Sequence, residues 1–303
     1  QRCMRDVQHG LLFEHINLNV PDVELARAYY VRGLGGVENP VGTNARQLHV
    51  NIGASQLHLP FRLSVSKNEP VVTAQVWPGE IVLLSSEDLE TVRARVVHEC
   101  PTAAARCEGD ELHCHCPWGN RFVLRRAPSG FQPPGQHAGG HAGLVAMPIA
   151  VLRVPTSTVG MLARFYSDVL GCSAHLAEGT CDVLFEGGQK LRFQESTDAP
   201  PADAYDHEEA AAFHVCLYLR SAAAFADAFA RTQAAGLLYV NPRFEGGPPE
   251  FASASTWDEA SACGQFRVKD LREGETGTLG LVLEHEIRTL AHRSCPIYTR
   301  AGR

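Results

Sequence analysis

The sequence predicts an α+β fold of four βαβββ modules, paired two per domain around curved, mostly antiparallel sheets. Three observations carry this expectation. Segments repeat one another in order, strand-like runs alternate polar and apolar residues, and Gly, Pro or Asn turns bound each run.

The clearest repeat opens the chain. Residues 15 to 36, HINLNVPDVELARAYYVRGLGG, read as strand, turn, helix and glycine stop. Residues 149 to 171, IAVLRVPTSTVGMLARFYSDVLG, repeat that order. In both copies Val-Pro closes the strand (Val20-Pro21, Val154-Pro155) and an aromatic pair sits late in the helix (Tyr29-Tyr30, Phe165-Tyr166). Leu-Gly ends both, and the second copy carries two extra residues between proline and helix. Weaker versions of the strand-helix unit begin at Pro78 and at Phe213. Short alternating runs follow each helix: QLHVNIG and SQLHLPF, ELHCHCP and NRFVLRR, CDVLFEGG and KLRFQES, FRVKDL and GLVLEHEIR.

These modules set the expected boundaries. A first domain covers residues 10–127, a Pro- and Gly-rich linker 128–143, a second domain 144–290 and a tail 291–303. At 303 residues the chain has the length of two ordinary domains. Residues 241–263 carry few strand signals and read as a long inserted loop, a kind of segment that often serves function.

Composition narrows the partners. A net charge of −7 argues against nucleic acid and anionic membranes, which reward a concentrated basic surface. No apolar run reaches the roughly 20 residues that span a bilayer. A small-molecule substrate is expected, and a homodimer is left open. The ten cysteines sit inside apparent strands and helices, so reduced thiols in a cytoplasmic or organellar setting are expected. The chain does not begin with Met, which leaves room for a removed targeting peptide. No P-loop, no GxGxxG opening a helix and no GxSxG elbow occurs, which disfavours nucleotide-dependent and serine-hydrolase chemistry.

The modules, together with HINLNVPD, RFYSDVLG and the Gly-Asn turn of PWGNRF, resemble the vicinal-oxygen-chelate superfamily of glyoxalase-like proteins and extradiol dioxygenases. The resemblance implies two glyoxalase-like domains, each curling its strands around a cavity. It also implies metal-ligand positions on the first and fourth strands of paired modules. In the first domain these positions hold His15, His58, Glu80 and Val123; in the second they hold Ile149, Arg192, His214 and Glu284.

Strand parity independently sets Ile16, Leu18 and Val20 on one face and His15, Asn17 and Asn19 on the other. It likewise separates Leu57 and Leu59 from Gln56 and His58, and Val215, Leu217 and Leu219 from His214, Cys216 and Tyr218. His15, His58 and Glu80 have the composition of a two-histidine, one-carboxylate site for Fe, Mn, Ni or Zn. His214 and Glu284 form a second ligand set, without the histidine that a ring-cleaving dioxygenase would have at Ile149.

Two functions follow as expectations. One is a divalent-metal-dependent enzyme that stabilises an enolate or oxyanion of a small oxygenated substrate, with Glu80 or Glu284 moving the proton and Asn17, Arg192 and Tyr218 lining the substrate cavity. The other is a metal-free binding or assembly protein on the same fold. Arg192 can bind an anion bidentately or pair with Glu284 across the sheet. His113-Cys114-His115-Cys116 reads as an ordinary strand with its histidines and cysteines on opposite faces. His137 and His141 are expected to be solvated in the linker, and acidic residues 200 to 209 read as a solvated loop ahead of His214.

Overall fold

The computed structural model describes residues 10–62, 72–204, 213–242, 254–272, 277 and 279–297. The acidic loop lies outside the described residues from 205 onward. The chain divides into two compact units. The first holds 15–152 with 209–213 and 294–303; the second holds 1–14, 153–208 and 214–293. Two of the crossings between them fall inside strands, β1 (Gly10–Asn17) and β9 (Leu144–Val154).

In the first unit β1 pairs in parallel with β4 (Ser55–Pro60), which pairs antiparallel with β3 (Gln47–Ile52) and through it with β2 (Val37–Glu38). A second sheet pairs β5 (Gly79–Ser85) in parallel with β8 (Arg121–Arg126) and antiparallel with β9. It continues through β7 (Glu111–His115) to β6 (Ala104–Glu108). Parallel neighbours need a long crossover, and the helices supply it: α1 (Val23–Ala26) and α2 (Leu89–Glu99). Aspartates cap both N-termini, Asp22 accepting from the Leu25 amide and Asp88 from that of Thr91.

The Gly-Asn turn has a definable task. Gly119 takes φ 97°, open to glycine. Asn120 then accepts the Trp77 amide at 2.7 Å and donates to the Gln75 carbonyl at 3.1 Å. Trp77, 1% exposed, donates its indole N–H to the Val151 carbonyl at 2.6 Å. The turn thus anchors the segment leading into β5.

In the second unit β10 (Ser173–Ala177), β11 (Thr180–Leu184) and β12 (Lys190–Glu195) form an antiparallel meander. β15 (Leu279–Thr289) pairs in parallel with β13 (His214–Leu219) and antiparallel with β14 (Gln265–Arg272). The helices are α3 (Val159–Arg164), α4 (Ala222–Ala234) and α5 (Trp257–Cys263). Among described pairings most are antiparallel, and the fold class is α+β.

Both repeated helices widen where the aromatic pair falls. After α1 residues Arg27–Gly33 are π-helical, and after α3 so are Phe165–Val169. Leu34 N–H reaches Tyr29 O at 2.8 Å, and Leu170 N–H reaches Phe165 O at 3.2 Å. The two rings meet edge to face in each copy, at 4.9 Å for Tyr29-Tyr30 and 5.2 Å for Phe165-Tyr166. The two extra residues before α3 form a turn with Ser157 at φ 67°, and Glu195 caps that helix by accepting the Val159 amide.

Two expectations need correction. The 241–263 segment contains α5, built on a complete capping box between Thr256 and Glu259 and stopped by Gly264 in a left-handed conformation. His137 is not solvated: it is 7% exposed and bonds the Ala54 carbonyl through Nε2 at 3.1 Å. The nine cysteines among the described residues are all free thiols. Cys114 and Cys116 are buried while His113 and His115 are not, as alternation requires, and burial pushes the Cys114 thiol up to about 12. Among the described residues no helix is long and apolar enough to cross a membrane.

Candidate functional site

The first unit carries a polar sheet face. Register sets His15 against Gln56 and Asn17 against His58, then His58 against His49 and Gln56 against Asn51. Since side chains alternate, these six residues share one side, while Ile16, Leu57, Leu59, Leu48 and Val50 are buried on the other. Three imidazoles stack there. His15 lies on His58 with centroids 3.7 Å apart at 22°, and His58 on His49 at 3.6 Å and 15°. His15 is fully buried and His58 half-buried. Gly42 makes room for the column, because a Cβ there would fall 2.2 Å from His49 Nδ1.

Of the predicted first-domain set, the structure brings His15 and His58 together but not Glu80. Glu80 is exposed on β5, in a different sheet, opposite Arg121 and Val151. Among the described residues no close group of three metal-capable side chains takes in His58, Glu80 or Glu284. Stacking also limits what His15 and His58 can do jointly. An imidazole lone pair lies in its ring plane, so an ion shared by two stacked rings about 2.1 Å from each would sit well out of both planes. Val123 is buried and Ile149 half-buried, each opposite Val82.

The second unit holds a denser cluster. Register places His214 beside Glu284, Cys216 beside Glu286 and Tyr218 beside Arg288, with Arg267 opposite Glu286 and Gln265 opposite Arg288. All of these residues are at most 7% exposed. The Arg267 guanidinium bonds Glu284 through Nη1 and Glu286 through Nη2. Arg288 donates to Glu286 Oε2 at 2.5 Å and to Gln265 at 2.7 Å, and it lies 3.4 Å from Glu14. Asn241, from the segment expected to be a functional loop, donates to both Glu284 oxygens at 3.1 and 3.2 Å. Burial opposes the charge on Arg267, but the Glu286 and Glu284 carboxylates outweigh it and hold its pKa above the ordinary value.

Among the described residues three buried carboxylates, Glu14, Glu284 and Glu286, share this cluster with two guanidiniums, Arg267 and Arg288. Burial and then Arg288 lower the His292 pKa to about 3. His214 stands beside Glu286, its Nε2 3.6 Å from Glu286 Oε1. Two ligand atoms bound about 2.1 Å from one ion stand about 3 to 4 Å apart, so this pair has the chemistry and spacing of two metal ligands. A carboxylate oxygen has lone pairs for both a guanidinium and an ion. By these measures the His214–Glu286 pair fits a divalent metal.

Arg192 and Tyr218 lie elsewhere in this unit's chemistry. Arg192 is bidentate on Asp182, its register partner on β11, at 2.6 and 2.7 Å, and Lys190 adds a 3.2 Å bond. The Arg192–Glu284 pair is therefore not made. Tyr218 is fully buried, its hydroxyl 3.4 Å from His292 Nδ1. On the opposite, apolar face His285 donates from Nδ1 to the Leu283 carbonyl at 2.7 Å, so its Nε2 accepts the Tyr166 hydroxyl at 2.5 Å. Burial lowers the His285 pKa to about 4.

Sequence reasoning missed His49, Asn51, Asn241, Arg267 and Arg288 as members of these faces, while alternation along Glu284-His285-Glu286 already puts the two carboxylates on one strand face. Parity alone marks His49 and Asn51, which share the phase of Gln56 and His58 across one turn.

No protein-family model and no curated protein matches the chain. Solved structures do. Glyoxalase I from Zea mays superposes with a TM-score of 0.53 at 10% identity, covering 91% of this chain and 92% of that one. A dioxygenase candidate from Bacillus subtilis gives 0.53 at 11% identity, over 93% of this chain and 86% of that one. The cppA protein from Streptococcus pneumoniae TIGR4 gives 0.50 at 12% identity, over 92% and 98%. At such identities the likeness is one of fold. The chain has a glyoxalase-like fold.

Proposed function

We propose that this chain is a divalent-metal-dependent enzyme acting on a small oxygenated substrate, and that its two compact units are two glyoxalase-like domains. The observation that supports the reading best is the buried His214–Glu286 pair, 3.6 Å apart in a cluster of buried carboxylates and guanidiniums. His214 and Glu286 would hold the ion, and mixed nitrogen and oxygen donors suit Fe(II), Mn(II), Ni(II) or Zn(II). Such an ion supplies Lewis acidity to neighbouring substrate oxygens.

The chain's own residues have distinct tasks. Arg267 and Arg288 fix Glu286 by its two oxygens, which sets the direction of the carboxylate. Asn241 and Arg267 do the same for Glu284, the ligand expected from sequence, and occupy both of its oxygens. His15 and His58 stay proposed as ligands of the first unit, with Glu80 and Glu284 as proton carriers and Asn17, Arg192 and Tyr218 as substrate contacts.

A second reading has one observation in its favour. The Arg267 guanidinium already bridges Glu284 and Glu286, as an internal cation would. On that reading the protein is metal-free and binds its small molecule without Lewis acidity. Elemental analysis separates the two after the purified protein has been supplied with Fe(II), Mn(II), Ni(II) or Zn(II). Near one equivalent that vanishes with His214→Ala supports the metal reading for the second unit. Less than about a tenth of an equivalent overturns it.

A further inference from the structure

In the first unit Asn51 lies at the centre of a buried amide network whose donor and acceptor roles are fixed from outside. Its Nδ2 sits 2.9 Å from two backbone carbonyls, Ala138 O and Gly140 O. Carbonyls only accept, so that atom is the amide nitrogen and both of its protons are spent. Oδ1 of Asn51 is then purely an acceptor. It takes Asn39 Nδ2 at 3.1 Å and Gln56 Nε2 at 2.6 Å. Asn39 is oriented by a second, independent anchor, because its Oδ1 accepts the Val41 and Gly42 amides, both at 2.9 Å. Asn39, Asn51 and Gln56 are 5%, 0% and 3% exposed, so water does not scramble the roles.

Gln56 has one functional atom remaining. With Nε2 committed to Asn51, the atom 2.8 Å from His58 Nε2 is the carbonyl oxygen Oε1. An oxygen there requires a proton on His58 Nε2. We infer that Asn51 and Gln56 are positioning residues that hold neutral His58 as its Nε2–H tautomer, so that Nδ1 is the ring nitrogen that carries the lone pair. The two carbonyls that start this chain of constraints belong to the Pro- and Gly-rich segment 128–143, which gives that segment a chemical task as well as a connecting one.

The inference does not depend on metal binding, and its test is made without metal. Protein labelled with 15N is stripped with a chelator and held near pH 8, where an imidazole of ordinary pKa, about 6.5, is neutral. Long-range 1H–15N correlations then report which ring nitrogen carries the proton, and the His58 signals are identified by their loss in His58→Gln. The expected pattern is a protonated Nε2 and a bare, pyridine-like Nδ1. The reverse pattern, or an even mixture, in the wild-type protein overturns the inference. Gln56→Leu removes the acceptor and is expected to turn the single tautomer into a mixture. Gln56→Glu keeps an acceptor and is expected to retain Nε2–H. A His58 pattern unchanged in Gln56→Leu would show that Gln56 does not set the tautomer. Should Gln56→Leu fail to fold, the wild-type pattern and Gln56→Glu still decide the matter.

Discussion

The guanidinium of Arg267 bonds Glu284 with one terminal nitrogen and Glu286 with the other, and all three residues are at most 5% exposed. Breaking a buried ion pair from one side leaves an uncompensated charge in a low-dielectric interior. Arg267→Met is therefore expected to destabilise the protein by about 3–5 kcal/mol, measured by urea unfolding. A loss under about 1 kcal/mol would be the size expected of a solvated pair and would contradict the burial described.

His285 and His292 make stability fall with acid. Burial lowers them to about 4 and about 3 in the folded chain, whereas unfolding restores ordinary imidazoles near 6.5. Between pH 6.5 and 4 the unfolded chain binds more protons, so stability decreases as pH falls through that window and is fully retained above it. His285→Gln is expected to flatten this slope by up to about 1.4 kcal/mol per pH unit, read from unfolding midpoints across the window. An unaltered slope would mean His285 is not held neutral.

Gly42 is a steric matter. Its missing Cβ would lie 2.2 Å from His49 Nδ1. Gly42→Ala is expected to push His49 off His58 and to cost about 1–3 kcal/mol, as overpacking does. Thermal unfolding measures the cost, and the ring shifts of His49 and His58 report the lost stack. Unchanged ring shifts would show that the column does not rest on Gly42.

Arg192 gives the opposite expectation. Its side chain is 37% exposed and its partner Asp182 is held below the usual carboxylate range first by the Arg192 hydrogen bond. Because solvent screens the pair, Arg192→Ala should cost no more than about 1 kcal/mol in a denaturation experiment. A cost of several kcal/mol would point to a structural role that the geometry does not give it.

Much of this was legible because alternation survives translation into structure. The phase of HINLNV and SQLHLP placed His15 and His58 on one face, and register confirms that they share it. What alternation does not encode is which strand lies next door. Arg192 was assigned a face, but its partner proved to be Asp182, opposite it across β11 and β12, rather than Glu284. Arg267 read as an ordinary strand residue, since its link to Glu284 and Glu286 depends on the β14–β15 pairing. The α5 helix was readable and was passed over, its Thr256…Glu259 box and Gly264 stop being local signals in a stretch judged by its lack of strands. His137 was misjudged because composition says where a segment bends and not what it docks against.

The central claim, an ion held by His214 and Glu286, is tested most directly by calorimetric metal titration of the stripped wild-type protein beside His214→Ala and Glu286→Gln. The account predicts saturable binding near one equivalent in the wild type, weakened at least about tenfold in both variants. Equal affinity in wild type and both variants, or no saturable binding in any of them, would contradict it.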